Sequence, residues 1–164
     1  MNGTEFHFRA DPVPSDIEGV REIVDSSGFF SREEIEVASE LVRERLGRGP
    51  ASGYFFLFAE AGGKVQGYTC FGPIPCTRES YDLYWIAVRN PLRGSGLGKA
   101  LLRRTEAGIL RMGGARVYVE TSSRDLYRPT RIFYERHGYL QEASLRDFYA
   151  PGDHKVILVK SLHP

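Results

Sequence analysis

A glycine-rich turn between an apolar run and a helix-like stretch constrains the fold of this chain more than any other feature. The run Tyr81–Val88 is typical of a strand, and Asn90-Pro91 ends it. Glycines then stand at alternate positions from 94 to 98, directly before a stretch with helical spacing. A further strand is predicted at Arg116–Glu120. Because strand, turn, helix and strand in this order require a right-handed parallel crossover, the segment predicts an α/β fold.

The same turn has the chemistry of an anion site. Successive glycines let backbone N–H groups point outward with no Cβ in the way of an approaching anion. The following helix adds the partial positive charge of its N-terminus, and Arg93 and Lys99 add formal charge on either side. The segment is therefore interpreted as a cradle for a pyrophosphate.

Spacing excludes two common phosphate motifs. A P-loop requires glycine five residues before Gly98 and a hydroxyl after Lys99, whereas Arg93 and Ala100 stand there. A dinucleotide fingerprint also fails, because no third glycine follows at the required distance.

The rest of the chain supplies enough elements for a complete sheet. The predicted order is β α α β β β α β α β β, which indicates a mixed, mostly antiparallel sheet of about seven strands with four helices on both faces. Two capping boxes, at Ser15 and at Ser31, open the first two helices, and Gly28 and Gly47 are expected to end them. No linker is visible, so residues 1–164 are expected to form a single domain. The remaining predicted elements are a first strand Glu5–Arg9, strands Tyr54–Phe58 and Val65–Phe71 joined by a turn at Gly62-Gly63, a helix Pro129–Arg136, and strands Gln141–Tyr149 and Lys155–Ser161.

Charge is balanced overall but not locally. The chain of 164 residues has a formal net charge of +1, which argues against a polybasic nucleic-acid binder. From Arg89 to Arg116, however, seven basic residues accompany one acidic residue, a local net charge of +6. This window contains the glycine turn, so it is expected to meet an anionic group.

Several classes of protein and site are not expected. No apolar run is long enough to cross a bilayer, and the first ten residues lack the features of a secretory signal. The two cysteines, Cys70 and Cys76, are interpreted as free thiols, and the four histidines are too scattered for a zinc site. A cytoplasmic protein that needs no metal, binds no nucleic acid and contacts no membrane is the expectation.

Two motifs identify a family resemblance. Arg93-x-x-Gly96-x-Gly98, with the strand before it and the helix after it, resembles the coenzyme A signature of the GNAT N-acetyltransferases. Phe133-Tyr134-Glu135-x-x-Gly138-Tyr139 resembles the second signature of that family, and the element order is also the family's. The resemblance implies transfer of an acetyl group from acetyl-CoA to a primary amine of a small molecule or peptide, by direct transfer in a ternary complex. A homodimer is a further possibility in this family.

The resemblance also implies which residues bind the cofactor. The pyrophosphate would lie on the turn and the first residues of the helix, and the pantetheine arm would lie along the end of the preceding strand. At Tyr127 the family often has an asparagine that contacts the cofactor, so the chain departs from the pattern there. The implied cofactor-binding residues are Ile86, Ala87, Val88, Arg93, Gly94, Ser95, Gly96, Leu97, Gly98, Lys99, Ala100 and Tyr127.

Three residues are candidates for proton transfer. Tyr134 is the candidate general acid, because its equivalent in the family commonly lies beside the sulfur of the cofactor. A primary amine is mostly protonated at neutral pH, so a base must remove a proton before it attacks. Asp82 is the first candidate base, since several family branches carry a catalytic glutamate at its spacing from Arg93; Glu120 is the second, and an ordered water chain is an alternative.

The acceptor site is less well specified. In the family it lies between the loop that joins the first two helices and the final hairpin. Those segments contain Phe29 and Phe30, and Tyr149 and Asp153, each of which could serve packing or recognition. Two other functions remain open: an acyl-CoA sensor that binds the cofactor without catalysis, and a regulatory protein that binds a partner through its basic window.

Overall fold

The computed structural model describes residues 5–163, which form seven strands and four helices in the predicted order. The strands form one mixed sheet in the order β1-β2-β3-β4-β5-β7-β6. β4 and β5 run parallel, whereas β1 with β2, β2 with β3, β5 with β7 and β6 with β7 are antiparallel. The predicted α/β fold with a mostly antiparallel sheet is therefore confirmed. The elements are β1 (His7–Arg9), α1 (Asp16–Ser26), α2 (Arg32–Arg48), β2 (Phe55–Ala61), β3 (Lys64–Pro73), β4 (Ser80–Val88), α3 (Leu97–Arg111), β5 (Arg116–Ser122), α4 (Arg128–Arg136), β6 (Leu140–Ala150) and β7 (Asp153–Ser161).

The chain forms two compact units. The first contains the described residues up to Gly72 together with Trp85–Gly108. In it, apolar residues of α1 and α2 pack against alternate residues of β2 and β3, where Phe56, Phe58 and Tyr68 stack. Burial of these large rings supplies much of the stability of the unit, because each removes a large apolar area from water.

The second unit contains Pro73–Tyr84 and the described residues from Ile109 onward. β5 lies between β4 and β7, with Tyr118 opposite both Asp82 and Val159. Val117 and Val119 are buried on one face of the sheet. Because successive residues of a strand alternate between faces, Tyr118 and Glu120 lie on the other face. Gly114 lies just before β5. A Cβ at this position would lie only 2.4 Å from the Ile109 side chain, so there is no room for a side chain.

The two capping predictions have different outcomes. At the start of α2 the Ser31 side chain accepts the Glu34 N–H at 3.2 Å, and the Glu34 carboxylate accepts the Ser31 N–H at 2.8 Å, so that capping box is confirmed. At the start of α1 the capping box is wrong, because Ser15 makes no side-chain cap. Ser15 already has helical dihedral angles, φ −67° and ψ −15°, whereas a capping serine needs an extended backbone. Asp16 accepts the Val13 N–H at 2.7 Å instead.

The predicted end of α2 at Gly47 is also wrong. The helix continues through Gly47 to Arg48, and the residue with positive φ is Gly49, at 59°. A glycine can remain helical when tertiary packing supports it, at a cost of about 1 kcal/mol relative to alanine. Pro50 then follows Gly49 and cannot continue the same helix.

Within residues 5–163, none of the four helices has the length and apolar character that a membrane span requires.

Candidate active site

The glycine turn lies in the first unit, between the end of β4 and the start of α3. A short 3-10 helix, Asn90–Leu92, follows β4, and the chain then passes through Gly94 with φ 78° and Gly96 with φ 89°. These left-handed angles are strained for residues that carry a Cβ, so the path of the turn requires glycine at both positions. α3 begins directly afterwards, at Leu97.

The start of α3 has backbone donors available for an anion. Ala100 is the first residue whose N–H reaches a carbonyl of the preceding turn, that of Gly96 at 3.1 Å, so the N–H groups of Gly98 and Lys99 have no partner within the helix. The Leu97 N–H donates to Ser95 Oγ at 3.4 Å, a long hydrogen bond that a stronger acceptor could replace. No acidic residue occupies the first turn, so nothing there repels a phosphate.

Arg93, expected to add charge beside the turn, is exposed and contacts an aromatic ring. Its guanidinium carbon lies 4.7 Å from the centre of the Phe29 ring, in the loop between α1 and α2. In the segment before the turn, Arg89 pairs with Glu22 of α1 at 2.7 Å. Contacts inside the first unit therefore engage part of the basic window.

Lys99 and Arg103 remain as exposed cations on α3. They are four residues apart, so they lie on one face of the helix, beginning in its first turn. Arg104, the next residue, lies over the Phe8 ring at 4.1 Å instead. The positive charge near the turn thus comes from Arg93, Lys99 and Arg103 together with the helix N-terminus.

The end of β4 is packed into the first unit. Ile86 and Val88 pack against a buried cluster that includes Leu97 and Leu101 at the start of α3. The Ala87 carbonyl lies close to Gly67 of β3. A Cβ on Gly67 would be only 3.0 Å from the carbonyl oxygen. The end of this strand is therefore closely packed directly before the turn.

The two candidate bases lie on one face of the second unit. Asp82 on β4 is opposite Tyr118 on β5, and Glu120 is two residues further along the same face. Burial, and next the negative charge of Glu120, raise the pKa of Asp82 to about 6, although the positive charge of Lys155 opposes this. A carboxyl group with a pKa near neutrality is suited to proton exchange.

Lys155 and Phe148 form a contact network with the candidate base Glu120 that the motifs do not indicate. The Lys155 ammonium lies 2.7 Å from Glu120 Oε2 and 3.9 Å from the centre of the Phe148 ring. Both residues belong to predicted strands, but the contacts of Lys155 with Glu120 and with Phe148 depend on the antiparallel register of β5, β6 and β7. Register was not predictable here, since no short hairpin turn joins β5 to β7.

Tyr134 lies on α4 and is almost completely buried, at 3% exposure. Phe133 and Tyr139 pack edge-on against it, with ring centres 5.3 and 5.1 Å away. Burial raises the pKa of the Tyr134 phenol well above its usual value, so the group stays protonated throughout the neutral range. The Tyr134 carbonyl accepts the N–H groups of His137 and Tyr139 at 2.9 and 3.1 Å, which fixes the end of the helix.

Tyr127 ends the short 3-10 helix Asp125–Tyr127, directly before α4. Its side chain is half-buried, and the Arg124 guanidinium carbon lies 5.4 Å from its ring centre. An aromatic ring thus stands where the family often has an amide.

The four candidate acceptor residues fall into two groups. The Arg93 guanidinium lies over the Phe29 ring, and Phe30 packs edge-on against Trp85 at 5.0 Å, so both rings make contacts within the first unit. Asp153 is buried, accepts a hydrogen bond from Ser122 and pairs with Arg124 at 3.2 Å. Tyr149 is 48% exposed, which leaves it accessible for contact with a ligand.

No group of three or more His, Cys, Asp or Glu side chains among residues 5–163 has an arrangement that could hold a metal ion.

Comparisons with known proteins agree on one family. A family model described as an acetyltransferase (GNAT) domain matches residues 52–141. A crystal structure from Desulfovibrio desulfuricans, of a protein assigned to the GNAT acetyltransferases, is 45% identical, with 96% of this chain and 99% of that chain covered and a TM-score of 0.92. No curated protein matches the sequence significantly.

More distant structures share the fold. The ribosomal-protein-S18-alanine N-acetyltransferase of Escherichia coli is 18% identical, with 98% of this chain and 96% of that chain covered and a TM-score of 0.76. The PaiA N-acetyltransferase of Thermoplasma acidophilum, solved in complex with coenzyme A, is 19% identical, with 96% and 99% covered and a TM-score of 0.73. Since the family model spans more than half of the chain and the Desulfovibrio structure nearly all of it, this protein belongs to the GNAT acetyltransferase family and is an acyltransferase.

Proposed function

We propose that this protein transfers the acetyl group of acetyl-CoA directly to a primary amine of a small molecule or peptide. The observation that carries the proposal is the half-buried carboxyl of Asp82, whose pKa of about 6 suits a general base. A protein that only binds acyl-CoA has no need of such a group, so this observation favours catalysis over the sensor function.

The glycine turn is proposed to hold the donor. Its left-handed residues Gly94 and Gly96 present an uncovered backbone, and the free N–H groups of α3 favour negative charge. Coenzyme A carries a pyrophosphate that matches this chemistry, and the PaiA relative was solved with coenzyme A. The main chain of Ile86, Ala87 and Val88 is the proposed contact for the pantetheine arm.

Asp82 is proposed to accept the proton of the amine. An alkylammonium has a pKa of about 10, so only a small fraction is nucleophilic at neutral pH. The amine nitrogen attacks the thioester carbonyl, a C–N bond forms, and the N–H proton passes to the Asp82 carboxylate directly or through one water. The C–S bond then breaks and the thiolate of coenzyme A departs. Glu120 is the alternative base, although its ion pair with Lys155 makes it less available.

Tyr134 is proposed to stabilise the departing sulfur. Its phenol remains protonated because burial raises its pKa far above neutrality. The same high pKa disfavours complete transfer of the proton to a thiolate, whose own pKa is about 8.5 for a simple thiol. We therefore propose that Tyr134 donates a hydrogen bond to the sulfur, and that solvent finally supplies the proton.

A panel of primary amines tests the proposal. Purified protein, acetyl-CoA and each amine are incubated, and release of free thiol is followed together with the mass of the acetylated product. At least one amine is expected to be acetylated. Failure of every amine, with coenzyme A still raising the melting temperature, would favour the sensor function.

Tyr134→Phe is the matched variant for the same assay. The ring is retained between Phe133 and Tyr139, so the fold is expected to persist. Loss of one hydrogen bond to the developing thiolate is expected to lower kcat about 10- to 100-fold with little change in KM. Unchanged kcat would show that Tyr134 serves only the core.

A further inference from the structure

Lys155 is a nearly buried cation that the proposed chemistry does not yet use. Its side chain is only 14% exposed, and its ammonium contacts Glu120 Oε2 at 2.7 Å. A cation so far removed from water requires a partner, because desolvation of an unpaired charge is costly. Lys155 and Glu120 are therefore held together as a charged pair.

The ion pair between Lys155 and Glu120 gives the two carboxylates, Asp82 and Glu120, different roles. Asp82 and Glu120 share one face of the sheet, and the negative charge of Glu120 raises the pKa of Asp82. The ammonium of Lys155 is committed to Glu120 by direct contact, whereas it acts on Asp82 only through its field. Glu120 is thus engaged in an ion pair, and Asp82 is the carboxylate left to gain and lose a proton.

The final hairpin holds Lys155 in place. Phe148 covers the ammonium at 3.9 Å, a cation–π contact that a displaced ring could not make. Phe148 reaches this position because β6 departs from regular pairing between Leu145 and Ala150, with Asp147 at φ 53°. The Asp147 carboxylate accepts the Gly152 N–H at 2.8 Å, which stabilises this unusual backbone.

Several other charged groups of these strands have partners away from Asp82. On β7, Asp153 pairs with Arg124 at 3.2 Å, and on β5, Arg116 lies 3.6 Å from Glu142 of β6. His154 lies 3.5 Å from Asp147 within the hairpin. Tyr118, opposite Asp82, is the remaining titratable side chain on this face of β5. Lys155 and Glu120 are the two charges that act on Asp82.

We propose that Lys155 is a positioning residue for acetyl transfer, which holds Glu120 in a fixed ion pair so that Asp82 serves as the single base. The inference rests on the proposed function, since it assigns the roles of residues within that reaction. It predicts that Lys155 sets the pH at which the enzyme becomes active rather than the maximum rate.

The test combines a direct titration with kinetics. The Asp82 carboxyl is titrated by carbon-13 NMR in the full-length protein, with Asp82→Asn used for assignment, and kcat/KM is measured against pH for one amine. The variants are Lys155→Met, Lys155→Arg and, as a control that removes an exposed lysine at the start of β3, Lys64→Met.

Lys155→Met is expected to raise the titration midpoint of Asp82 by about one pH unit, because an attractive positive charge is lost. The acidic limb of kcat/KM should move upward with it, giving a roughly fivefold loss at about pH 6 and little loss at about pH 9. Lys155→Arg, which keeps the charge, should restore most of both values, and Lys64→Met should match the wild type.

Two results would overturn the inference: an unchanged Asp82 midpoint in Lys155→Met, or an equal loss of kcat/KM at every pH, which would indicate a structural role. If the wild type acetylates no amine, the proposed function fails instead. The NMR titration still decides in that case whether Lys155 controls the ionisation of Asp82.

Discussion

At the scale of the residue, the ionisation of Asp82 connects stability with the proposed activity. The carboxyl is half-buried near Glu120, and both effects favour its protonated form. A group that is destabilised when charged in the folded state costs stability at the pH where it works. Such a cost is common at catalytic sites, where evolution accepts strain in exchange for function. The spacing from Arg93 could indicate Asp82, but the surrounding charges depend on strand register and so were not predictable from the sequence.

Asp82→Asn is predicted to stabilise the protein in a pH-dependent way. The folded pKa of about 6 lies above the unfolded value, so the stability contribution of Asp82 is present at low pH and is lost as the pH rises through about 6. The variant should gain up to about 1 kcal/mol at about pH 8, a value that allows for solvent screening, and nothing at about pH 4.

Urea unfolding at the two pH values measures this difference. Glu40→Gln, which makes the same chemical change on the exposed side of α2, provides the control and should give no pH-dependent gain. A gain for Asp82→Asn that is equal at both pH values would contradict the assigned ionisation.

At the scale of the element, the glycine turn and the helix ends separate what local sequence dictates from what tertiary structure decides. The order of strands and helices follows from apolar periodicity, and the capping box at Ser31 follows from local hydrogen bonding. The same pattern at Ser15 fails, because the preceding turn imposes helical angles on the residue. Gly47 does not end α2, since the residue with positive φ that follows the helix is Gly49, two residues further along.

Two glycine substitutions test this distinction. Gly96 has φ 89°, so Gly96→Ala is predicted to destabilise the protein by about 1 kcal/mol and to weaken coenzyme A binding at least tenfold. Gly47 is helical, exposed and without close neighbours, so Gly47→Ala is predicted to add about 1 kcal/mol of stability without any effect on binding.

Thermal unfolding and calorimetric titration with coenzyme A give both quantities for both variants. If Gly96→Ala binds coenzyme A as tightly as the wild type, the glycine turn is not part of the donor site. A destabilised Gly47→Ala would show that the α2 backbone at this position is not helical in solution.

At the scale of the whole molecule, charge is concentrated rather than balanced. The net charge of +1 conceals a window of basic residues from Arg89 to Arg116. Arg89, Arg93 and Arg104 are engaged within the first unit, so the window is less of a free patch than its composition indicates. Composition could not reveal this, because the partners Glu22, Phe29 and Phe8 are distant in sequence.

The boundary between the two compact units falls inside β4 and inside α3, so both units share these elements and we propose that residues 1–164 unfold as one domain.

Salt dependence measures how much of this charge serves the donor. Since Lys99 and Arg103 are exposed near the start of α3, their attraction for phosphates should be screened by salt. Coenzyme A affinity is predicted to fall roughly threefold between about 50 and about 500 mM sodium chloride. Replacement of both residues by alanine should reduce this salt dependence. An unchanged salt dependence would show that Lys99 and Arg103 do not attract the phosphates of coenzyme A.

The pH dependence of acetyl transfer tests the central claim most directly. With the wild type and one accepted amine, kcat/KM is predicted to rise with pH through a limb whose midpoint is about 6, the pKa of Asp82. Asp82→Asn should lose this limb and at least about 100-fold of kcat/KM at neutral pH, while Glu40→Gln retains both. An Asp82→Asn variant with the wild-type limb and rate would contradict the assignment of Asp82 as the base.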